Sequence, residues 1–69
     1  MEAKHFYVSA IRSAKEKALI AGPYSDHETA LAKVRDVARQ AEDIDPRAHF
    51  WAWGTAGSEV PFTTPMGAI

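Results

Sequence analysis

The sequence predicts an α+β domain in which a three-stranded, mainly antiparallel sheet carries one helix on one face. Two strand-like segments precede an amphipathic helical segment, and an aromatic strand-like segment follows it. Between them, residues 22–28 combine a Gly-Pro stop with a helix-start pattern. We therefore expect a ββαβ domain over residues 1–56. Residues 57–69 are expected to form an irregular C-terminal tail that packs on the sheet or on a neighbouring subunit.

The first two strands are predicted to form a hairpin. Residues 5–12 are rich in aromatic and β-branched side chains. Phe6, Val8 and Ala10 alternate with Tyr7, Ser9 and Ile11, which is typical of a strand with both faces partly covered, and residues 17–21 run back beside it. Gly22-Pro23 is expected to end the second strand, because proline has no N–H to donate to the ladder.

The helix is predicted from Asp26 to about Asp43. Ser25 is the expected N-cap, and Glu28, three residues later, completes a capping box. Apolar side chains recur at three- and four-residue spacing, which predicts one buried stripe. The stripe consists of Ala30, Leu31, Val34, Val37, Ala38, Ala41 and Ile44.

The third strand is predicted over residues 48–55. In that register Phe50 and Ala52 face the helix, whereas Trp51 and Trp53 share the other face with Tyr7. A one-residue slip would exchange the two faces. A bare aromatic face of this size is unusual on a soluble monomer, so either a second subunit or the tail is expected to cover it. The tail side chains available for this are Val60, Phe62 and Met66.

The composition of the chain excludes some classes of function and argues against others. A chain of 69 residues buries little surface, which favours a homodimer. Cysteine is absent, so neither disulfides nor cysteine-ligated zinc can form. The net charge of −1 lacks the basic excess typical of nucleic-acid binding. The apolar runs are too short for a signal peptide or a membrane span, so we expect a cytoplasmic protein.

No residue pattern predicts catalysis, a cofactor or a metal site. His5, His27 and His49 lack the spacing of a helical metal site. Ser25, Asp26 and His27 are the residue types of a hydrolase triad, but adjacent residues cannot converge as nucleophile, base and orienting group. We therefore expect a protein without enzyme activity.

Aromatic residues are the strongest candidates for binding. Tyr7, Trp51, Trp53 and His49 are the predicted contacts for a protein partner, since aromatic side chains dominate interface energetics. The alternative is a nucleic-acid-binding module that stacks bases on the same aromatic face. Its phosphate contacts would come from the basic residues near the first hairpin, which are Lys4, Arg12, Lys15 and Lys17.

Residues 5–56 resemble small, functionally uncharacterised ββαβ proteins of bacteriophage and prophage genomes. The segments that carry the resemblance are, in order, Tyr7-Val8-Ser9-Ala10, Ala21-Gly22-Pro23-Tyr24, His27-Glu28-Thr29-Ala30-Leu31 and residues 45–56 (DPRAHFWAWGTA). The resemblance implies a phage or prophage accessory protein that acts in a bacterial host cell, and it implies nothing about the target. It transfers no activity and no site residues. Small size and genomic type alone make an inhibitor of a bacterial defence complex one further hypothesis within the protein-binding class.

A weaker similarity is to the N-terminal hybrid-binding domain of ribonuclease H, which also runs strand, strand, turn, helix and aromatic strand. The matching positions are Gly22, Tyr24, Glu28, Ala30, Val34 and Phe50. That family surrounds an aromatic residue near the helix start with lysine and arginine, whereas residues 25–28 here are acidic in character (SDHE). The similarity implies the fold, and the family's binding residues are not matched.

Overall fold

The computed structural model describes residues 3–69 and shows the predicted α+β fold. Strands β1 (His5–Ser13) and β2 (Glu16–Tyr24) form a hairpin, and helix α1 (His27–Ile44) follows. A short 3-10 helix (Pro46–Phe50) then leads into β3 (Ala52–Ser58). Both strand pairs are antiparallel, in the order β2-β1-β3. Residues 1 and 2 of the predicted domain lie outside the described residues.

The core lies between α1 and one face of the sheet. Val8 and Ala10 of β1 are fully buried against Ala30 and Val37 of the helix. Small side chains on the helix allow the two layers to approach closely. The predicted stripe is too wide, because its members Leu31 and Ile44 are 57% and 78% exposed.

Helix α1 begins one residue later than predicted, and its N-cap is Asp26 instead of Ser25. The backbone N–H of Thr29 donates to Asp26 Oδ1 at 2.7 Å. Aspartate caps a helix as well as serine does, and its negative charge also suits the positive end of the helix dipole. The Thr29 N–H holds the pKa of the Asp26 carboxyl below its usual value.

Strand β2 does not end at Gly22-Pro23 but continues to Tyr24. Gly22 has φ +126°, and a Cβ at this position would lie 2.8 Å from both Phe6 O and Tyr7 Cδ1. Only glycine fits this conformation without strain. The pairing register shifts between Phe6 and Val8, and such a bulge in an edge strand tolerates a proline.

The predicted third strand is wrong at its start. Residues 46–50 form the 3-10 helix, and β3 begins only at Ala52. This changes the faces of the sheet, because Trp53 lies opposite Ala10 and packs against the core on the helix side. Phe50, which was expected to face the helix, is 86% exposed, and Ala52 is exposed as well.

The tail lies against the sheet face that points away from the helix. Tyr7 on that face is fully buried. Its ring lies 6.2 Å from the ring of Phe62, and its hydroxyl accepts the backbone N–H of Phe62 at 2.8 Å. Met66, expected on the same face, packs against the helix-side core instead.

The same tail also covers the outer edge of β2. The backbone N–H of Met66 donates to Ile20 O at 3.1 Å, and Gly22 N–H donates to Gly67 O at 2.9 Å. The buried hydroxyl of Thr64 donates to Gly22 O at 2.8 Å. These bonds occupy backbone groups that an edge strand otherwise leaves open to another chain.

Candidate protein-binding site

The 3-10 helix holds Phe50 outward on a fixed turn. Ala48 in this turn is fully buried, and its carbonyl oxygen accepts both Trp51 N–H at 3.2 Å and Trp53 Nε1–H at 3.1 Å. Asp45 caps the start of the turn by accepting Arg47 N–H at 3.0 Å. Burying a phenylalanine side chain is worth roughly 1.5–3 kcal/mol. A partner that covered Phe50 would gain this energy without first having to order the turn.

His49 is held beside the exposed ring of Phe50. Its Nδ1 lies 2.9 Å from Glu42 Oε1 on α1, and its ring meets the Phe50 ring edge to face at a centroid distance of 5.2 Å. The helix therefore positions the side chain that flanks Phe50.

Arg12 reaches this region from β1. Its guanidinium lies over the ring of Trp51, 4.8 Å from the centroid, and its Nη1 lies 3.2 Å from Glu16 Oε1. The Trp51 ring in turn contacts the ring of Trp53 at 5.7 Å. A guanidinium at this distance from an indole is attracted by the electron-rich ring face.

Arg47 and Asp45 form a forked ion pair beside Phe50. Arg47 Nε donates to Asp45 Oδ1 and Arg47 Nη2 donates to Asp45 Oδ2, both at 3.1 Å. The Arg47 side-chain hydrogen bonds hold the pKa of Asp45 below its usual value, and Asp45 raises the pKa of Arg47. The Arg47 side chain is 86% exposed, so the pair contributes little to stability and leaves the guanidinium accessible.

These side chains surround an open hollow of about 410 Å³, which we call the arginine–aromatic site. It is lined by Arg12, Glu16, Asp45, Arg47, Phe50 and Trp51. A smaller apolar hollow of about 110 Å³ adjoins it at Trp51 and includes Ile20, Ile44 and Met66 in its walls. The side chains that line the larger hollow carry no net charge, because its two arginines are matched by two carboxylates. Exposed aromatic rings among arginines are typical of protein–protein contacts.

Of the predicted binding residues, Trp51 lines this site and His49 contacts its Phe50 ring from outside the hollow, whereas Tyr7 and Trp53 lie elsewhere. Tyr7 is buried beneath the tail, and Trp53 is half-buried against the core. Within residues 3–69, therefore, neither face of the sheet presents the predicted exposed surface of Tyr7, Trp51 and Trp53.

The predicted basic residues do not form one cluster. Lys4 precedes β1, whereas Arg12, Lys15 and Lys17 lie at the hairpin end, about 25 Å away at the usual rise per strand residue. All four are exposed, and Arg12 is already paired with Glu16.

Sequence reasoning missed Phe50 and Arg47 as binding candidates. A usable signal was present, because an aspartate followed by proline at the first helical position is a helix start. If Asp45-Pro46 is taken as a helix start, residues 46–50 no longer belong to the predicted third strand, and Phe50 need not face the helix.

Within residues 3–69, no group of three or more histidine, aspartate or glutamate side chains is placed to hold a metal ion. No helix in this part of the chain has the length and apolar character needed to cross a membrane. No protein-family model, curated protein or solved structure matches the chain.

Proposed function

We propose that this chain is a non-enzymatic accessory protein of the phage or prophage type that acts by binding another protein in the bacterial cytoplasm. Its binding surface is the arginine–aromatic site, with Phe50 as the anchor. The 86% exposure of Phe50, on a turn fixed by the buried Ala48, carries the proposal. The resemblance of residues 5–56 to phage and prophage proteins supports the setting, in which a host defence complex is one class of target.

The chemistry of the site favours a partner that presents an apolar side chain next to a carboxylate or carbonyl oxygen. Phe50 and the adjoining apolar hollow offer the surface that the apolar group would cover. Arg47 uses its Nε and one Nη on Asp45, and a guanidinium has five N–H donors in total. The remaining N–H donors of Arg47 would form specific hydrogen bonds with the acceptor oxygen of the partner.

Nucleic-acid binding is the second candidate, because the exposed Phe50 ring next to the Arg12–Trp51 pair also offers a stacking surface. Binding of this kind depends on neutralising phosphates. Arg12 and Arg47 are each within 3.2 Å of a carboxylate oxygen, so the site has no excess of positive charge. This balance favours a protein partner.

The proposal is tested by capture from bacterial host lysate with tagged wild type, Phe50→Ala and the control Val60→Ala. Val60 is also an exposed apolar residue, 55% accessible, but it lies in the tail. We expect one host protein to be retained by wild type and by Val60→Ala and to be lost with Phe50→Ala. The affinity of this protein for the purified chain should also fall when Phe50 is replaced by alanine. Thermal melts should show equal stability for all three proteins.

Equal capture by Phe50→Ala and wild type would refute the role of Phe50. Titration of labelled single strands and RNA–DNA hybrids at low and physiological salt tests the second candidate. Sub-micromolar binding that survives physiological salt and is lost in Phe50→Ala would favour nucleic acid over protein.

A further inference from the structure

The two edges of the sheet differ in how they are covered. The tail occupies the outer edge of β2 through the bonds at Ile20 and Gly22. On the outer side of β3, by contrast, no backbone hydrogen bond is made by any residue from 3 to 69. Alternate residues of this strand therefore turn their N–H and C=O groups away from β1 with no partner in the described chain.

Strand β3 also lacks the features that usually protect an edge. Its sequence, AWGTAGS, contains no charged residue and no proline. Its pairing with β1 runs through seven residue pairs without a register shift, so no bulge twists the edge away. Natural edge strands are commonly protected by lysine, proline or a bulge. An unprotected edge of seven residues is a template for another strand.

Small residues make this edge accessible from the side. A Cβ added at Gly54 would have no atom within 4 Å, and Ala56 carries only a methyl group. A second strand can therefore approach the backbone without displacing large side chains.

We propose that β3 is a dimerisation edge, and that two copies of this chain pair antiparallel through β3 to form one continuous six-stranded sheet. Centring the two-fold axis on Thr55 lets all seven residues of each strand pair. Gly54 then lies opposite Ala56 of the second copy, and Trp53 lies opposite its Gly57, so no pair of large side chains meets across the axis. An antiparallel pair of identical strands is self-complementary, and a neutral strand brings no like charges together.

The helix side provides further support for a second copy as the occupant. His27 Nε2 lies 3.0 Å from Thr55 Oγ1, which places the first turn of α1 over β3. Leu31 follows His27 by one turn, lies on the same flank of the helix and is 57% exposed. In the proposed dimer both helices lie on the same side of the sheet, so the two Leu31 side chains are available for an apolar contact across the axis.

The proposed dimer does not involve the arginine–aromatic site. Pairing through β3 can be tested by placing charged residues opposite one another across the two-fold axis. The variants Gly54→Lys/Ala56→Lys and Gly54→Glu/Ala56→Glu each place like charges directly opposite one another across the axis. Mixing the two variants places lysine opposite glutamate. Gly54→Thr is the neutral control, because it adds a β-branched side chain without charge.

We expect wild type and Gly54→Thr to sediment at twice the 7.6 kDa chain mass. Each charged variant should sediment as a monomer with an unchanged far-ultraviolet spectrum, and a mixture of the two should recover the dimer. Phe50→Ala should remain dimeric. A wild type that stays monomeric at every concentration would overturn the proposal, as would charged variants that stay dimeric or a mixture of folded variants that does not associate.

Discussion

The backbone N–H of Phe62 donates to the hydroxyl of Tyr7 at 2.8 Å, which joins the tail to the first strand across 55 positions of sequence. The same hydroxyl lies 3.4 Å from Val60 O. Tyr7 is fully buried. The tail therefore belongs to the folded domain, although residues 59–69 contain neither a helix nor a strand.

Tyr7→Phe should lower the free energy of unfolding by about 1–2 kcal/mol, because the part-buried N–H of Phe62 loses its acceptor. Tyr24→Phe is the matched control. Tyr24 is also buried and also bonds to the tail, but its hydroxyl lies 3.5 Å from Ile69 O, at the limit of a hydrogen bond. Urea unfolding of both variants should show the larger loss for Tyr7→Phe. Equal losses would mean that the Phe62 bond adds nothing.

Asp26→Ala should lower the melting temperature by roughly 4–8 °C through the loss of the helix cap. Ser25→Ala, which changes the neighbouring residue, should leave the melting temperature almost unchanged because Thr29 N–H bonds to Asp26. Thermal melts followed by circular dichroism would distinguish the two positions. The reverse result would restore Ser25 as the N-cap.

The contribution of Asp26 should depend on pH. Its pKa is lowered in the folded state by the Thr29 N–H, so the native state favours the carboxylate. This contribution is fully present above the unfolded value of about 3.9 and is lost as the pH falls through the lower folded value. The stability difference between wild type and Asp26→Asn should therefore shrink below about pH 4. A constant difference from pH 7 to pH 2 would contradict this assignment.

Gly22→Ala should destabilise the protein by more than about 1 kcal/mol, since alanine disfavours φ +126° and its Cβ would overlap Phe6 O. Gly54→Ala is the control within the same sheet. Gly54 has an ordinary backbone conformation and open space at its Cβ, so this variant should be neutral or slightly more stable. Urea unfolding of the two variants measures the contrast. Similar stabilities would show that the backbone near Gly22 relaxes at little cost.

The helix and β1 could be predicted from sequence because their hydrophobic patterns extend over many residues. The 3.6-residue period from Ala30 to Ala41 matches the buried face of α1. Leu31 and Ile44 fit the same period but lie at the margins of the stripe, and periodicity alone does not show how far the sheet extends beneath them.

The arginine–aromatic site was missed because it depends on the short segment between α1 and β3, where the helix-start signal of Asp45-Pro46 competes with a strand pattern. Phe50 and Trp51 have strong strand propensity, but the Asp45 cap and Pro46 favour a helical turn first. A shift in the start of β3 exchanges the faces of a strand, so this local error moved Trp53 and Phe50 to the wrong sides. The Arg12–Trp51 contact links residues far apart in sequence, and no local pattern predicts it.

The bonds of the tail set an order for folding. Residues 62–67 supply the partners of Tyr7, Ile20 and Gly22, which were synthesised more than forty positions earlier. Until residue 67 has left the ribosome, the β2 edge and the Tyr7 face remain uncovered in the nascent chain. Closing such distant contacts carries a loop-entropy cost and slows folding compared with a helical bundle of equal length. Before residues 62–67 have docked, therefore, the β2 edge is as open to pairing as the β3 edge; within residues 3–69 of the folded structure the tail covers the β2 edge and not that of β3.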